Sequence, residues 1–97
     1  MRYRFEEQAL VEYIAAGQYY NQQVSGLGDA FADEIEAAIR SIVANPRTWR
    51  IVEDDVRRYL VDRFPYGVYY TIENDQIVIW AVKHLHREPD YWQHRRH

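Results

Sequence analysis

The stretch His86-Arg87-x-x-x-Tyr91-Trp92, near the end of the chain, gathers the side chains best suited to chemistry. An arginine neutralises a phosphate and the charge that develops on it, a Tyr or His moves a proton or stacks on a base, and a Trp offers a flat platform. Such a set suits RNA cleavage or binding to a nucleoprotein. The same residues also fit a plainer role, in which Tyr91 and Trp92 anchor apolar surface under a sheet and Arg87 pairs with an acid. Residue types and spacing leave both readings open.

Other chemistries find less support. The four histidines, His84, His86, His94 and His97, all fall near the C-terminal end, yet none stands at i, i+4 on a clear helix with a third ligand beside it. No metal site is expected. The absence of Cys excludes a thiolate site, a disulfide framework and a Cys nucleophile. Ser25 and Ser41 are the only serines, and neither sits in a nucleophile-elbow pattern. Gly26-Leu27-Gly28 opens a helical pattern without a preceding strand or a Lys, so it reads as a turn and not as a phosphate loop. Neither a cofactor nor a small-molecule substrate is expected.

With 97 residues the chain makes one domain, 1–97, and 47% hydrophobic with 15% aromatic content excludes disorder. No apolar run approaches the roughly 18 residues of a membrane span. The first residues, Met1-Arg2-Tyr3-Arg4-Phe5-Glu6-Glu7, lack the apolar core of a signal peptide, so a soluble cytoplasmic protein is expected. The formal charge of -3 hides an asymmetry: residues 1–36 set seven acids against Arg2 and Arg4, whereas residues 37–97 set eight acids against ten bases. Eleven of the twelve bases are Arg, whose flat fork suits phosphate and carboxylate partners. The C-terminal third is therefore the expected partner-facing end, although charges that simply solvate a small protein would look the same.

These residues must be positioned by a scaffold, and hydrophobic periodicity outlines it. Residues 2–5 alternate as a short strand with Tyr3 and Phe5 on one face. From Gln8 to Gln23 the positions Leu10, Tyr13, Ile14, Gly17, Tyr20 and Val24 follow helical spacing. A second helix opens after Ser25, a candidate N-cap, and carries Phe31, Ile35, Ala38, Ile39 and Ile42 until Asn45-Pro46 stops it. Strand-like runs follow at Trp49–Val52, Arg57–Phe64, Gly67–Glu73 and Ile77–Val82. The last is apolar on both faces and belongs inside the sheet. A short helical turn with Pro89 at its first position closes the pattern. The expected fold is α+β: a helix hairpin packed on a small antiparallel sheet, in the order β-α-α-β-β-β with a short C-terminal helical tail.

Four motifs in order, Leu27-Gly28-x-x-Phe31 with Glu34-Ile35-Glu36, Asn45-Pro46-x-x-Trp49, Arg63-Phe64-Pro65-Tyr66-Gly67-Val68-Tyr69-Tyr70, and Ala81-Val82-x-His84-x-x-Arg87-x-Pro89-x-Tyr91-Trp92, together resemble the RelE/ParE superfamily of bacterial toxins. The resemblance implies the toxin of a type II toxin-antitoxin module of the plasmid-stabilisation kind, blocked by a cognate antitoxin that wraps it. RelE-like members cut mRNA on the ribosome with a basic cluster. Arg87 and Tyr91 match two of its members, but the Arg of the central strand falls at Gly67, and Glu53-Asp54-Asp55 replaces an expected Lys-rich loop. The Phe-Pro-Tyr block and the Arg-x-Pro-x-Tyr-Trp ending look more like the ParE side, whose members poison DNA gyrase without catalysis.

The expectation is thus a ParE-like gyrase inhibitor that contacts its target through His84, Arg87, Tyr91 and Trp92. The alternative is a RelE-like endoribonuclease acting on ribosome-bound mRNA, with Arg87 as charge stabiliser and Tyr91 or His86 moving the proton. A non-toxic interaction module built on the same fold is a third reading. Tyr19, Tyr20, Tyr59 and Tyr69 are expected to remain outside the core and to form a groove for the amphipathic antitoxin segment.

Overall fold

The computed structural model describes residues 1–86 and 93–96. Strand β1 (Arg2–Phe5) leads into helix α1 (Glu7–Gln23), and helix α2 (Leu27–Ala44) returns against it. Strands β2 (Ile51–Glu53), β3 (Val56–Leu60), β4 (Tyr66–Glu73) and β5 (Gln76–His84) follow, with a 3-10 turn at Gln93–Arg96. The helix hairpin lies on one face of a five-stranded sheet ordered β1-β5-β4-β3-β2. The expected α+β hairpin-on-sheet fold is present.

A side chain starts the first helix, and backbone geometry starts the second. Glu6 caps α1 by accepting from the backbone N–H groups of Gln8 and Ala9 at 2.9 and 3.2 Å. Gly26, not Ser25, occupies the cap of α2, with φ of 85° and no side-chain cap bond. The chain must pass through left-handed backbone there, a conformation open to Gly and strained for Ser. The two helices then cross closely. A Cβ built on Gly28 would lie 2.0 Å from the Gly17 carbonyl oxygen, so that position admits no side chain. Asn21 locks the crossing by accepting from the Gly28 N–H at 2.7 Å.

The main core lies between hairpin and sheet. Phe31, Ile35, Ala38, Ile39 and Ile42 of α2 meet Tyr66, Val68, Tyr70, Ile77, Ile79 and Val82 of the central strands. Helix α1 departs from its expected packing. Leu10, Ile14 and Val24 are exposed, and α1 faces the core through Ala9 with partly buried Tyr13, Ala16 and Tyr20. Apolar residues surround much of this helix, so periodicity alone did not single out the inward stripe.

Strand β5 lies inside the sheet, as its two apolar faces required. One neighbour is unexpected in direction: β1 pairs with β5 in parallel, Arg2 opposite Gln76 and Phe5 opposite Ile79. The sheet is therefore mixed and not wholly antiparallel, and each of the four strand-like runs expected after the hairpin contributes a strand. Short alternation fixes which side chains share a face but carries no strand direction. Opposite the helices a second cluster forms from Val56, Tyr69, Val78, Trp80 and Ala81.

Candidate functional site

Beyond Phe5 no described strand pairs with the outer edge of β5, and α1 takes that place. Glu12 turns toward the bare edge and accepts from the Val82 N–H at 3.4 Å. Arg95 of the 3-10 turn reaches the same place, its guanidinium gripping both Glu12 oxygens at 2.8 and 3.0 Å and donating to the Trp80 carbonyl at 3.1 Å. It donates further to Gln8 Oε1 at 3.0 Å. The Arg95 side chain is 7% exposed. This is a charge-assisted, bidentate clasp of the strongest kind available between side chains.

Beside the clasp a cleft of about 680 Å³ runs between α1 and the end of β5. Val11, Ala15 and Tyr19 form one wall at i, i+4 and i+8, while Tyr66, Val82, His84 and His86 form the other. Tyr66 stands edge-on to the His84 ring with centroids 5.3 Å apart. The His84 and His86 rings are 5.5 Å apart, and the His86 backbone N–H donates to His84 Nδ1 at 3.2 Å. An acceptor at Nδ1 means that His84 in this arrangement carries no proton there.

The structure brings some of the expected site residues together and parts others. Tyr19, Tyr20, His84 and His86 share the cleft. Tyr19 is 57% exposed, whereas Tyr20 packs its ring on Phe31, Phe64 and Tyr66. Tyr59 lies at the other end of the sheet against Trp49, centroids 4.5 Å apart. Tyr69 is 5% exposed and faces away from the helices. The expectation that all four tyrosines stay outside the core is thus corrected: packing uses three of them wholly or in part, because so small a chain needs its aromatic area. Arg87, Tyr91 and Trp92, with the turn expected at Pro89, lie outside the described residues. Sequence reasoning passed over Val11, Ala15, Tyr66 and Val82; the i, i+4, i+8 stripe of Val11, Ala15 and Tyr19 was the available signal.

The acidic turn also finds a use. Asp54 takes positive φ of 49°, and its neighbours Glu53 and Asp55 hold the 3-10 turn through Gln93 and Arg96. Arg96 lies 2.8 Å from Asp55, 3.7 Å from Glu73 and 5.4 Å from the centroid of Trp80. Its hydrogen bond holds the Asp55 carboxyl below the usual carboxylate range. The Trp80 indole donates to Thr71 Oγ1 at 2.9 Å, and that hydroxyl donates to Glu73 at 2.7 Å. Among the described residues no three His, Asp or Glu side chains converge to hold a metal ion. No described helix is long and apolar enough to cross a membrane.

Comparison with known proteins gives a concordant result. Residues 3–89 match the family model for the ParE toxin of the type II toxin-antitoxin system, parDE. A solved chain from the chromosomal ParDE TA system of P. aeruginosa superposes with a TM-score of 0.77 at 17% identity, covering 88% of this chain and 96% of that one. At that identity the likeness is one of fold. No curated protein sequence matches the chain.

Proposed function

The chain belongs to the ParE toxin family of type II toxin-antitoxin systems, and from that membership we propose that it inhibits DNA gyrase without catalysing a reaction and is neutralised by a cognate antitoxin. The observation that carries the antitoxin half of this reading is the bare apolar wall of α1. Val11, Ala15 and Tyr19 stand exposed in helical register across the cleft from the end of β5, which suits an amphipathic segment laid along the cleft. The gyrase half draws support from what occupies the sheet. Gly67 stands where an RNase of the wider superfamily would hold an arginine, and Glu53 and Asp55 are engaged in holding the chain's own C-terminal turn. Charge stabilisers of phosphoryl transfer are worth several kcal/mol of transition-state binding, roughly 3 for a single donor, so their replacement by acids disfavours cleavage chemistry.

One comparison separates the readings. Purified protein should inhibit gyrase supercoiling, or trap cleaved DNA, at concentrations where programmed ribosomes show no codon-dependent mRNA cuts. Clean mRNA cleavage with gyrase untouched would overturn the proposal in favour of the endoribonuclease. Co-expression with the neighbouring open reading frame should yield a complex that melts at higher temperature than the toxin alone, since a ligand that binds only the folded state stabilises it.

A further inference from the structure

The clasp and the cleft share one residue. Glu12 lines the cleft together with Val11, Ala15 and Ala16 of its own helix and Val82 of β5, whereas Arg95 does not line it. Among the described residues of that lining, Glu12 is the only acid. The rest of the wall is aliphatic apart from tyrosines and the two histidines, His84 and His86. A carboxylate in such a wall is a poor neighbour for a segment that lays an apolar face along it, because closing the cleft strips the charge of water. The Glu12 side chain is only 21% exposed before any partner arrives.

Arg95 meets this difficulty from the side away from the cleft. Among the described residues it is the only cation that reaches Glu12. Its fork donates to both carboxylate oxygens, and Oε1 also accepts from the Val82 N–H at 3.4 Å. The carboxylate therefore borders the cleft with its charge balanced and both oxygens engaged. A planar fork holds that geometry better than a point charge on a flexible stem. The guanidinium itself stays behind the wall, held further by the Trp80 carbonyl and by Gln8.

We propose that Arg95 is a positioning residue for partner binding: by balancing Glu12 it fits the cleft to a segment that sets an uncharged side chain against Glu12. The inference rests on the antitoxin reading of the cleft and adds the chemistry of the partner at this one point. A Lys or Arg placed there would meet a carboxylate whose charge is already taken, and would give up hydration with little return. An aliphatic or small neutral side chain meets no such cost. The clasp thus admits an apolar neighbour and turns away a basic one.

Variants of the full chain separate this role from a merely structural one. Arg95→Gln, Glu12→Gln and the double variant all weaken the clasp, but only Arg95→Gln leaves an unbalanced carboxylate on the cleft. The probe is the purified product of the neighbouring open reading frame, titrated by calorimetry well below the melting temperature of each variant. Arg95→Gln should raise Kd about tenfold or more, as burying a charge without its partner requires. Glu12→Gln should bind within about threefold of the unaltered chain, and adding it to Arg95→Gln should restore binding to that level. Equal weakening in all three would overturn the proposal, since the docked turn and not the balanced charge would then be what the partner needs. Tighter binding by Arg95→Gln would also overturn it, because the partner would then be supplying a cation of its own. Val11→Asp tells this failure from that of the underlying reading. If Val11→Asp weakens binding and Arg95→Gln does not, the cleft is the seat and this inference alone fails; if neither does, the antitoxin reading of the cleft fails with it. Should Arg95→Gln not fold, Glu12→Gln decides the matter, because a tenfold loss there contradicts the proposal and unchanged binding supports it.

Discussion

Arg95 and Glu12, 83 positions apart, face each other as a bidentate pair with both contacts at 3.0 Å or less. Each also holds the bare edge of β5, Glu12 through the Val82 N–H and Arg95 through the Trp80 carbonyl. Edge strands invite pairing with other chains unless something covers them. Here the cover is a salt bridge that joins the C-terminal turn, the first helix and the central sheet at one place.

Removing Arg95 leaves Glu12 without this counter-charge in a largely dry site, and removing Glu12 takes the bidentate partner from Arg95, which also has Glu6 at 4.0 Å. Arg95→Gln or Glu12→Gln should each cost about 3 kcal/mol, the lower end of what is measured when one half of a buried pair is deleted. In a domain of this size that corresponds to a fall in Tm of more than about 10 °C. The double variant should lose much less than the sum of the two single changes, as a double-mutant cycle by thermal denaturation would show. Additive losses would mean that the two side chains act independently.

The close helix crossing predicts opposite outcomes for two glycines. Gly28→Ala would press a methyl group into the Gly17 carbonyl and the Asn21 side chain, with no flexible neighbour to yield on the carbonyl side. Overpacking of this kind costs roughly 1–3 kcal/mol, and here the upper end or beyond is expected. Gly17→Ala meets only the Gly28 carbonyl oxygen at 3.9 Å, an ordinary contact. It should stabilise the chain by about 0.5–1 kcal/mol, because Ala loses less backbone entropy in a helix. Chemical denaturation of both variants checks the pair.

The two glycines also show how far the sequence could be read. Breaks at Ser25-Gly26 and Asn45-Pro46 place both helices within a residue or two of their true ends, and alternation with turn residues places the long strands. Packing direction was less legible. Helix α1 carries apolar residues round much of its circumference, so Leu10 and Ile14 looked like core and Ala9 did not. The site was legible only in part, because its parts meet through distant contacts. Nothing in the spacing of Glu12 and Arg95 announces that they close on the same strand edge.

Alkaline titration should single out two tyrosines. Burial, aided by the Glu36 carboxylate, pushes the Tyr13 hydroxyl up to about 12, and burial alone pushes Tyr70 up to about 12. Tyr70 donates to the Pro46 carbonyl at 2.7 Å, a bond that only the neutral phenol can make. In the unfolded chain both would ionise near the ordinary value of 10.0. The folded state therefore holds these protons more tightly. The stability they supply is complete below pH 10 and is lost as pH rises toward 12. Tyrosinate absorbance should show a late-titrating class that shrinks in Tyr13→Phe and again in Tyr70→Phe. Titration of all tyrosines together near the ordinary value would contradict the burial argument.

The exposed wall of α1 gives a prediction that separates binding from folding. Val11 and Tyr19 lie on the solvent side of the cleft, one at 62% and the other at 57% exposure, and neither belongs to the buried core. Substitutions at such positions usually change stability by less than about 0.5 kcal/mol. An antitoxin segment lying along Val11, Ala15 and Tyr19 would bury these side chains, so Val11→Asp would place a charge against its apolar face. Desolvating that charge without a partner should cost about 1–3 kcal/mol of binding, or roughly fivefold to 150-fold in Kd. Tyr59→Ala, at the far end of the sheet, should leave Kd unchanged while lowering Tm, because its ring packs on Trp49. Calorimetric titration of both variants with the cognate antitoxin distinguishes the two surfaces. If Val11→Asp binds as the unaltered chain does, the antitoxin segment takes a different path and the cleft is not its seat.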